Sequence, residues 1–319
     1  MKTSPKPSSA GADAEKQEAR RQHAALPGFN SELAAAATLT RLVGMTNRVY
    51  KVETGGKRFA LRIPGSGAAA MIDRRAEEVN ARLAATASVA PEVLHFGDDG
   101  VMLTRFIKDA TPLRPERLRD SSGALERAAL AFKRLHHADI VFASTFRAFA
   151  TIDSYVAVLA RLGTALSEAE RDAIQKVQDI GRVLATRPAA PRPCHCDPTG
   201  RNVLDTGERV WLVDWEYSGM NDPMWDLAYF SIESLLDDLD DRKLLESYFG
   251  RAPVSAEMAR VAVLKPVCEV QAALWALIQA AESATGGEFS GYAKATFERA
   301  AERLRGADFA GQMEVLRNG

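Results

Sequence analysis

Cysteine is scarce in this 319-residue chain, which contains only three of them. Cys194, Cys196 and Cys268 are too few for a disulfide framework and suit a reducing cytosol. Cys194 and Cys196 flank His195, but their spacing is not that of a zinc knuckle, and strand alternation would put both sulfurs on one face. A disulfide-stabilised secreted domain is therefore excluded, and a zinc site has little support.

An excess of charge of either sign is also lacking. The 41 basic and 42 acidic residues leave a formal net charge of −1. No basic patch stands out, so nucleic acid is not predicted as a partner. The hydrophobic content of 46% is enough for one large domain or two smaller ones with cores of their own.

Long apolar segments are missing as well. The longest apolar run, residues 267–281, is interrupted by Glu269 and Gln271, and we predict that it is too short to span a bilayer. Residues 1–25 have neither the apolar core of a signal peptide nor hydrophobic periodicity, so we expect a disordered leader. These features predict a cytoplasmic protein without a membrane span.

The most informative segment is HCDPTGRN, which runs from His195 to Asn202. A carboxylate at Asp197 can accept the proton of a hydroxyl nucleophile. Asn202 and Asp214 offer the hard oxygen ligands that Mg²⁺ prefers. The alternative is that Asp197 and Asn202 are turn formers in an ordinary loop.

The residues after this segment favour the catalytic interpretation. Residues 202–205 and 209–214 read as two strands around a turn, which would bring Asp214 back toward Asn202. Asp214 follows directly after an apolar strand, a position where a carboxylate is poorly suited to a core and is able to bind a metal ion. The pattern therefore predicts phosphoryl transfer.

The order of elements predicts two parts of different character. Residues 49–53 and 58–63 form a hairpin across Gly55 and Gly56, and a helix and a second hairpin follow. The rest of the chain is mostly helical by its amphipathic periodicity. We therefore predict a nucleotide-binding lobe over residues 26–107 and a catalytic, substrate-binding helical lobe over residues 108–319.

At this point the chain resembles the choline/ethanolamine kinase family in its bacterial form, within the aminoglycoside-phosphotransferase-like, protein-kinase-like superfamily. Residues 195–228 follow the family pattern H-N-D-x-x-x-x-N, then I-D-[FWY]-E-Y-x-G-x-N-D-x-x-[FW]-D-[IL]-A, with few departures. Residues 44–50, 59–65 and 72–77 resemble its nucleotide lobe in the expected order, and residues 274–292 resemble its last substrate helix and the aromatic segment after it.

The resemblance implies a fold and an activity. The fold would be α+β and protein-kinase-like, with a small antiparallel sheet and one helix in the N-terminal lobe and a larger, mainly helical C-terminal lobe. The activity would be ATP- and Mg²⁺-dependent phosphorylation of a small amino alcohol, choline or ethanolamine.

It also implies roles for particular residues. Asp197 would accept the hydroxyl proton, and Asn202 and Asp214 would hold magnesium. The phosphates would be positioned by three residues of the first lobe, Thr46, Asn47 and Arg62. Glu77 would orient Arg62, although Glu78 is also available as its partner.

The acceptor's ammonium group would be held by acidic and aromatic side chains. The resemblance implies five of them: Glu216, Tyr217, Glu233, Trp275 and Tyr292. The alternative for Trp275 is a core position, since it lies among alanines and leucines. Ala272 is a departure, because eukaryotic members carry a second tryptophan there, and an incomplete aromatic cage weakens the preference for choline.

Two other functions are left open. An aminoglycoside or other antibiotic phosphotransferase would use the same catalytic residues with a wider acidic pocket. A catalytically silent kinase-like module could bind a nucleotide or a small cation without turnover. The natural acceptor, the choice between ATP and GTP, the oligomeric state and the role of the leader are also left open.

Overall fold

The structure, a computed structural model, describes residues 9–27, 35–42, 44, 47–65, 72–282 and 287–318, with side chains in the first helix described from residue 13 onward. The chain divides into two compact units, Met1–Asp109 and Ala110–Gly319. The boundary predicted between residues 107 and 108 lies within two residues of this division.

The first unit is built on an antiparallel sheet. Its described elements, in chain order, are α1 (Ser9–Ala25), β1 (Thr38–Leu42), β2 (Arg48–Thr54), β3 (Lys57–Ile63), α2 (Arg74–Thr86), β4 (Val93–Phe96) and β5 (Met102–Arg105). The five strands are ordered β1-β2-β3-β5-β4. Gly55 and Gly56 have φ angles of 56° and 72°. These left-handed conformations make the tight β2–β3 turn that the sequence predicted.

The prediction of a disordered leader is wrong for residues 9–25, which form α1. Ala19 is fully buried and Leu26, just after the helix, is 5% exposed. Both belong to the core cluster of this unit, which also contains Leu39, Tyr50, Val52, Phe59, Leu61, Ile63, Val101 and Leu103. The buried positions Ala19, His23 and Leu26 follow helical spacing. Alanine and histidine are only weakly apolar, so this spacing does not stand out in the sequence as a helical stripe.

Helix α2 turns Glu77 toward the interior. The Asp73 carboxylate caps the helix by accepting hydrogen bonds from the backbone N–H groups of Arg75 and Ala76 at 3.1 and 3.0 Å. Its buried residues are Ala76, Glu77, Asn80, Ala81 and Ala84. A carboxylate on such a face needs a charged or hydrogen-bonding partner.

The second unit is mainly helical, and two small antiparallel sheets interrupt it. Its elements are β6 (Thr111–Pro112), α3 (Pro115–Asp120), α4 (Ala124–His136), α5 (Ala148–Arg161), α6 (Glu168–Thr186), β7 (Arg192–Cys194), β8 (Val203–Asp205), β9 (Val210–Leu212), β10 (Gly219–Asn221), α7 (Pro223–Glu233), α8 (Asp238–Phe249), α9 (Ser255–Glu282), α10 (Gly287–Arg305) and α11 (Ala307–Asn318). Strands pair as β6-β8-β9 and as β7-β10. The predicted α+β class is confirmed.

Helix α9 is the central helix of the second unit. It is 28 residues long, so the prediction that this segment is too short for a bilayer is wrong as to length. By length and composition it is the one described helix that could cross a membrane, but 83% of its most apolar window is buried within the protein. Buried Lys265 forms an ion pair with Asp241, and buried Glu269 pairs with Arg303 at 3.2 Å. These contacts are those of a core helix.

Candidate active site

The HCDPTGRN segment folds into a compact loop between β7 and β8. The Asn202 side-chain amide donates hydrogen bonds to the backbone carbonyl and to Oδ2 of Asp197, both at 3.0 Å. Gly200 lets this loop pack closely, since a Cβ atom there would collide with the Leu113 carbonyl oxygen. Asp197 and Asn202 are therefore brought together as the sequence predicted.

The hairpin after this loop returns the chain to Asn202. The Val213 N–H donates to the Asn202 carbonyl at 3.0 Å, and Asp214 follows at once. Asp214 has a φ of 69°, a left-handed conformation that is uncommon for aspartate and recurs at functional sites. The Asp214 carboxylate also raises the pKa of Asp197, so Asp197, Asn202 and Asp214 belong to one group of oxygen-bearing side chains.

His195 braces the loop. Its Nε2 donates to the Val213 carbonyl at 2.9 Å, and its Nδ1 accepts the Asp197 backbone N–H at 3.3 Å. Burial lowers the pKa of His195, so the neutral ring is favoured. The imidazole links the motif to the hairpin and has no nitrogen left for proton transfer.

A second brace reaches the loop from α7. The Asp226 carboxylate accepts the backbone N–H groups of His195 and Cys196 at 2.7 and 2.8 Å, and it also hydrogen-bonds to Nε2 of His136 at 3.0 Å. Nδ1 of His136 in turn accepts from the Tyr248 hydroxyl at 3.0 Å. All three side chains of this chain of contacts are buried. Sequence reasoning assigned none of them to the site.

Negative charge is concentrated around Asp197. Burial raises the pKa of Asp197 well above its usual range, and the carboxylates of Asp214, Glu233 and Glu216 raise it further. The Tyr229 hydroxyl acts in the opposite direction as a hydrogen-bonding neighbour. A cluster of four acids at one place favours bound cations, either metal ions or an ammonium group.

The residues predicted to hold an ammonium group lie around this cluster. The Tyr292 hydroxyl donates to Glu233 at 2.8 Å, and the rings of Trp275 and Phe289 meet edge to face with centroids 5.8 Å apart. The five predicted residues are all partly exposed: Glu216, Tyr217, Glu233, Trp275 and Tyr292. Trp275 is therefore not a fully buried core residue.

Three further residues line the same region and were not predicted: Tyr155, Tyr229 and Gln271. Burial raises the pKa of Tyr155 to about 12, with Asp197 adding to the rise and Gln271 opposing it. Helical spacing could have identified two of them. Gln271 lies four residues before Trp275, and Tyr229 lies four residues before Glu233, so each shares a helix face with a predicted residue. No short-range signal marks Tyr155.

The predicted nucleotide residues lie in the first unit. Arg62 and Glu77 form a buried ion pair, and Arg62 also donates to the Gly100 carbonyl at 3.2 Å. Glu78, the alternative partner, pairs with Arg82 instead. Asn47 is buried, and Thr46 lies outside the described residues.

The segment that contains the catalytic loop and the strands of both units matches a known protein family. Residues 38–264 match the model of the phosphotransferase enzyme family. A choline/ethanolamine kinase family protein from Mesorhizobium loti is 39% identical, with a TM-score of 0.85 over 95% of this chain and 99% of that one. The chain belongs to this phosphotransferase family, in its choline/ethanolamine kinase group. The expected protein-kinase-like fold is thereby confirmed.

Two other relatives extend the comparison. Protein LicA of Haemophilus influenzae is 30% identical over 211 residues, which are 64% of this chain and 60% of that protein. This chain therefore spans about three fifths of that relative. The choline kinase LicA of Streptococcus pneumoniae shares the fold with a TM-score of 0.75 at 23% identity, over 91% of this chain and 99% of that one.

Proposed function

We propose that this phosphotransferase moves the γ-phosphate of ATP, in the presence of Mg²⁺, to the hydroxyl of a small amino alcohol, choline or ethanolamine. The observation that carries the proposal is a group of four acids: Asp197 and the three carboxylates that add to the rise of its pKa, those of Asp214, Glu233 and Glu216. One carboxylate would accept the proton of the hydroxyl, and the others would bind cations. A cytoplasmic location is part of the proposal and agrees with three free cysteines.

Asp197 would accept the proton of the attacking hydroxyl. A carboxylate with a raised pKa is a better base than an ordinary one while it is still ionised at the working pH. The Asn202 amide fixes its Oδ2 by a hydrogen bond of 3.0 Å. The Asp197 carboxylate thus has the basicity and the fixed orientation that a general base needs.

Asn202 and Asp214 would hold magnesium. Both hydrogen bonds of the Asn202 amide nitrogen go to Asp197, and its Oδ1 is the atom that would bind the metal. An amide oxygen and a carboxylate fit the hard cation and would not select a soft one. The bound metal would neutralise charge on the transferred phosphoryl group.

In the first unit, Arg62 with Thr46 and Asn47 would position the phosphates of ATP. The guanidinium fork matches phosphate oxygens, and its ion pair with Glu77 fixes its orientation. In the second unit, the ammonium group would be held by the carboxylates of Glu216 and Glu233 and by the rings of Tyr217, Trp275 and Tyr292. Each cation–π contact contributes about 0.5–2 kcal/mol.

The test is a phosphorylation assay with Mg-ATP on choline, ethanolamine, thiamine and kanamycin. We expect turnover of choline or ethanolamine. Turnover of kanamycin alone would instead identify an antibiotic phosphotransferase. Binding of an amino alcohol without any phosphate transfer would identify a silent binding module. Omission of Mg²⁺ is the matched control and should abolish turnover.

A further inference from the structure

The oxygen of a buried amide in helix α9 lacks a hydrogen-bond partner among the residues that the structure describes, although the amide itself is a hydrogen-bonding neighbour of Tyr155. Gln271 is 7% exposed, and its Oε1 accepts no hydrogen bond from any residue that the structure describes. Buried polar atoms almost always have a hydrogen-bond partner, because without one the free energy lost when the atom leaves water is not recovered. An amide oxygen in this situation suits a ligand that brings a donor.

Helical spacing places this oxygen beside the proposed acceptor site. Gln271 and Trp275 are four residues apart and so share a face of α9. The Trp275 ring contacts Phe289, and Tyr292, three residues further along α10, hydrogen-bonds to Glu233. The cluster is therefore continuous from Gln271 to Glu233.

The tyrosine of α5 connects Gln271 to the catalytic aspartate. The pKa of Tyr155 responds first to burial, and then to Gln271 and to the charge of Asp197. Tyr155 is 4% exposed, with the Gln271 amide as a hydrogen-bonding neighbour and the Asp197 carboxylate as a charged one. A small molecule whose hydroxyl reaches Asp197 would thus come near the Gln271 amide.

The chemistry of the cluster separates two kinds of ammonium group. A trimethylammonium group has no N–H and is held by aromatic faces. At position 272 this chain has a buried alanine, which supplies no such face. An ammonium group that keeps at least one N–H can donate to an amide oxygen, and a charge-assisted hydrogen bond is stronger than a neutral one.

We propose that Gln271 Oε1 accepts a hydrogen bond from an N–H of the acceptor's ammonium group, so that the enzyme selects amino alcohols with an N–H over the quaternary one. This inference rests on the proposed amino-alcohol kinase activity. It makes Gln271 a specificity-determining residue. The substrate class is then a primary, secondary or tertiary ammonium alcohol, with ethanolamine as its simplest member.

The test compares kcat/KM for ethanolamine, its N-methyl and N,N-dimethyl derivatives, and choline. The last two differ by one methyl group, and only choline lacks an N–H. We expect kcat/KM to fall about tenfold to a hundredfold at this last step, the effect of leaving a buried acceptor unpaired. A pocket that recognises methyl groups alone would show no fall, because an added methyl contributes favourable apolar contact.

Substitutions assign the effect to one side chain. Gln271→Met keeps the length and removes the acceptor, so the ratio of kcat/KM between dimethylethanolamine and choline should fall to about one. Gln271→Glu keeps an oxygen acceptor and should retain a ratio well above one. Gln175→Met is the control, because Gln175 is an exposed residue of α6 that belongs to none of the groups assigned to the site. Each ratio is taken within one variant, so partial loss of folded protein cancels.

Two outcomes would overturn the inference alone: wild-type enzyme that prefers choline, or Gln271→Met with the wild-type ratio. Failure to phosphorylate any of the four amino alcohols, together with turnover of kanamycin, would overturn the proposed function itself. The two failures are distinguishable, because the first still shows amino-alcohol turnover.

Discussion

The Asp226 carboxylate accepts a hydrogen bond from the backbone N–H of His195 at 2.7 Å, across 31 residues of sequence. Its other oxygen accepts the next backbone N–H, so both oxygens of one buried side chain fix the start of the catalytic loop. An amide in place of this carboxylate keeps its shape but directs an NH₂ group at a backbone donor. The loop must then shift.

We therefore expect Asp226→Asn to lower kcat about tenfold to a hundredfold, the size of effect that small misplacements of catalytic groups produce. The KM for ATP should change little, because Asp226 would touch no substrate. Steady-state kinetics on choline and ethanolamine measures this separation. The control is Asp238→Asn at an exposed position of α8. An equal change in kcat and KM would contradict a positioning role.

Replacement of the proposed base is a second prediction. Asp197→Asn should reduce kcat by about 10²–10⁴-fold, the usual contribution of a general base. Asparagine keeps the size of the side chain, so Mg-ATP binding measured by calorimetry should persist. A thermal melt checks that the variant is folded. Retention of more than a tenth of wild-type turnover would argue against Asp197 as the base.

The catalytic loop could be predicted from sequence because its parts are close in the chain. Asp197 and Asn202 are five residues apart, and one hairpin returns Asp214 to them. The contacts that the sequence did not reveal join distant segments. Tyr155 approaches Gln271 from a different helix, and the partner of Asp226 in α4 is 90 residues away. Such contacts follow from helix packing, which hydrophobic periodicity alone does not specify.

The same limit explains α1. Its buried residues are an alanine, a histidine and a leucine. Their spacing alone does not predict a buried helix, because the burial depends on packing against the strands of the same core cluster. In contrast, the choice between Glu77 and Glu78 for Arg62 depended on which side of α2 is buried. The Asp73 cap and the buried face of α2 settle the pairing in favour of Glu77.

The ion pair of Arg62 gives a third prediction. Glu77→Gln should weaken ATP binding by about tenfold or more. Without its carboxylate partner, the buried Arg62 guanidinium is no longer held in one orientation, and its desolvated charge is no longer compensated. Isothermal titration with Mg-ATP measures the loss. Glu78→Gln is the matched control: its neighbour Arg82 is 45% exposed and should be little affected. Equal effects of the two substitutions would contradict the specific pairing.

The fourth prediction concerns pH. Burial raises the pKa of Glu233, while Tyr292, Arg299 and Arg201 act to lower it, and Asp197 is a nearby acid. The ionised carboxylate attracts an ammonium group and the protonated one does not. The KM for the amino alcohol should therefore rise as the pH falls through this raised pKa. Glu233→Gln should have a high KM that no longer depends on pH in that range. A wild-type KM that stays constant as the pH falls from neutral to 4.5, the ordinary pKa of a glutamate, would contradict the role of Glu233.

The last prediction tests the packing of α1. Leu26 is 5% exposed and belongs to the core cluster of the first unit, so Leu26→Ala should lower the free energy of unfolding by about 2–5 kcal/mol. The control is Arg21→Ala, because the Arg21 side chain is 71% exposed and its pairing with Glu18 is a surface contact. Urea denaturation followed by circular dichroism measures both. If residues 9–27 were not packed on the sheet, both variants would have the stability of the wild type.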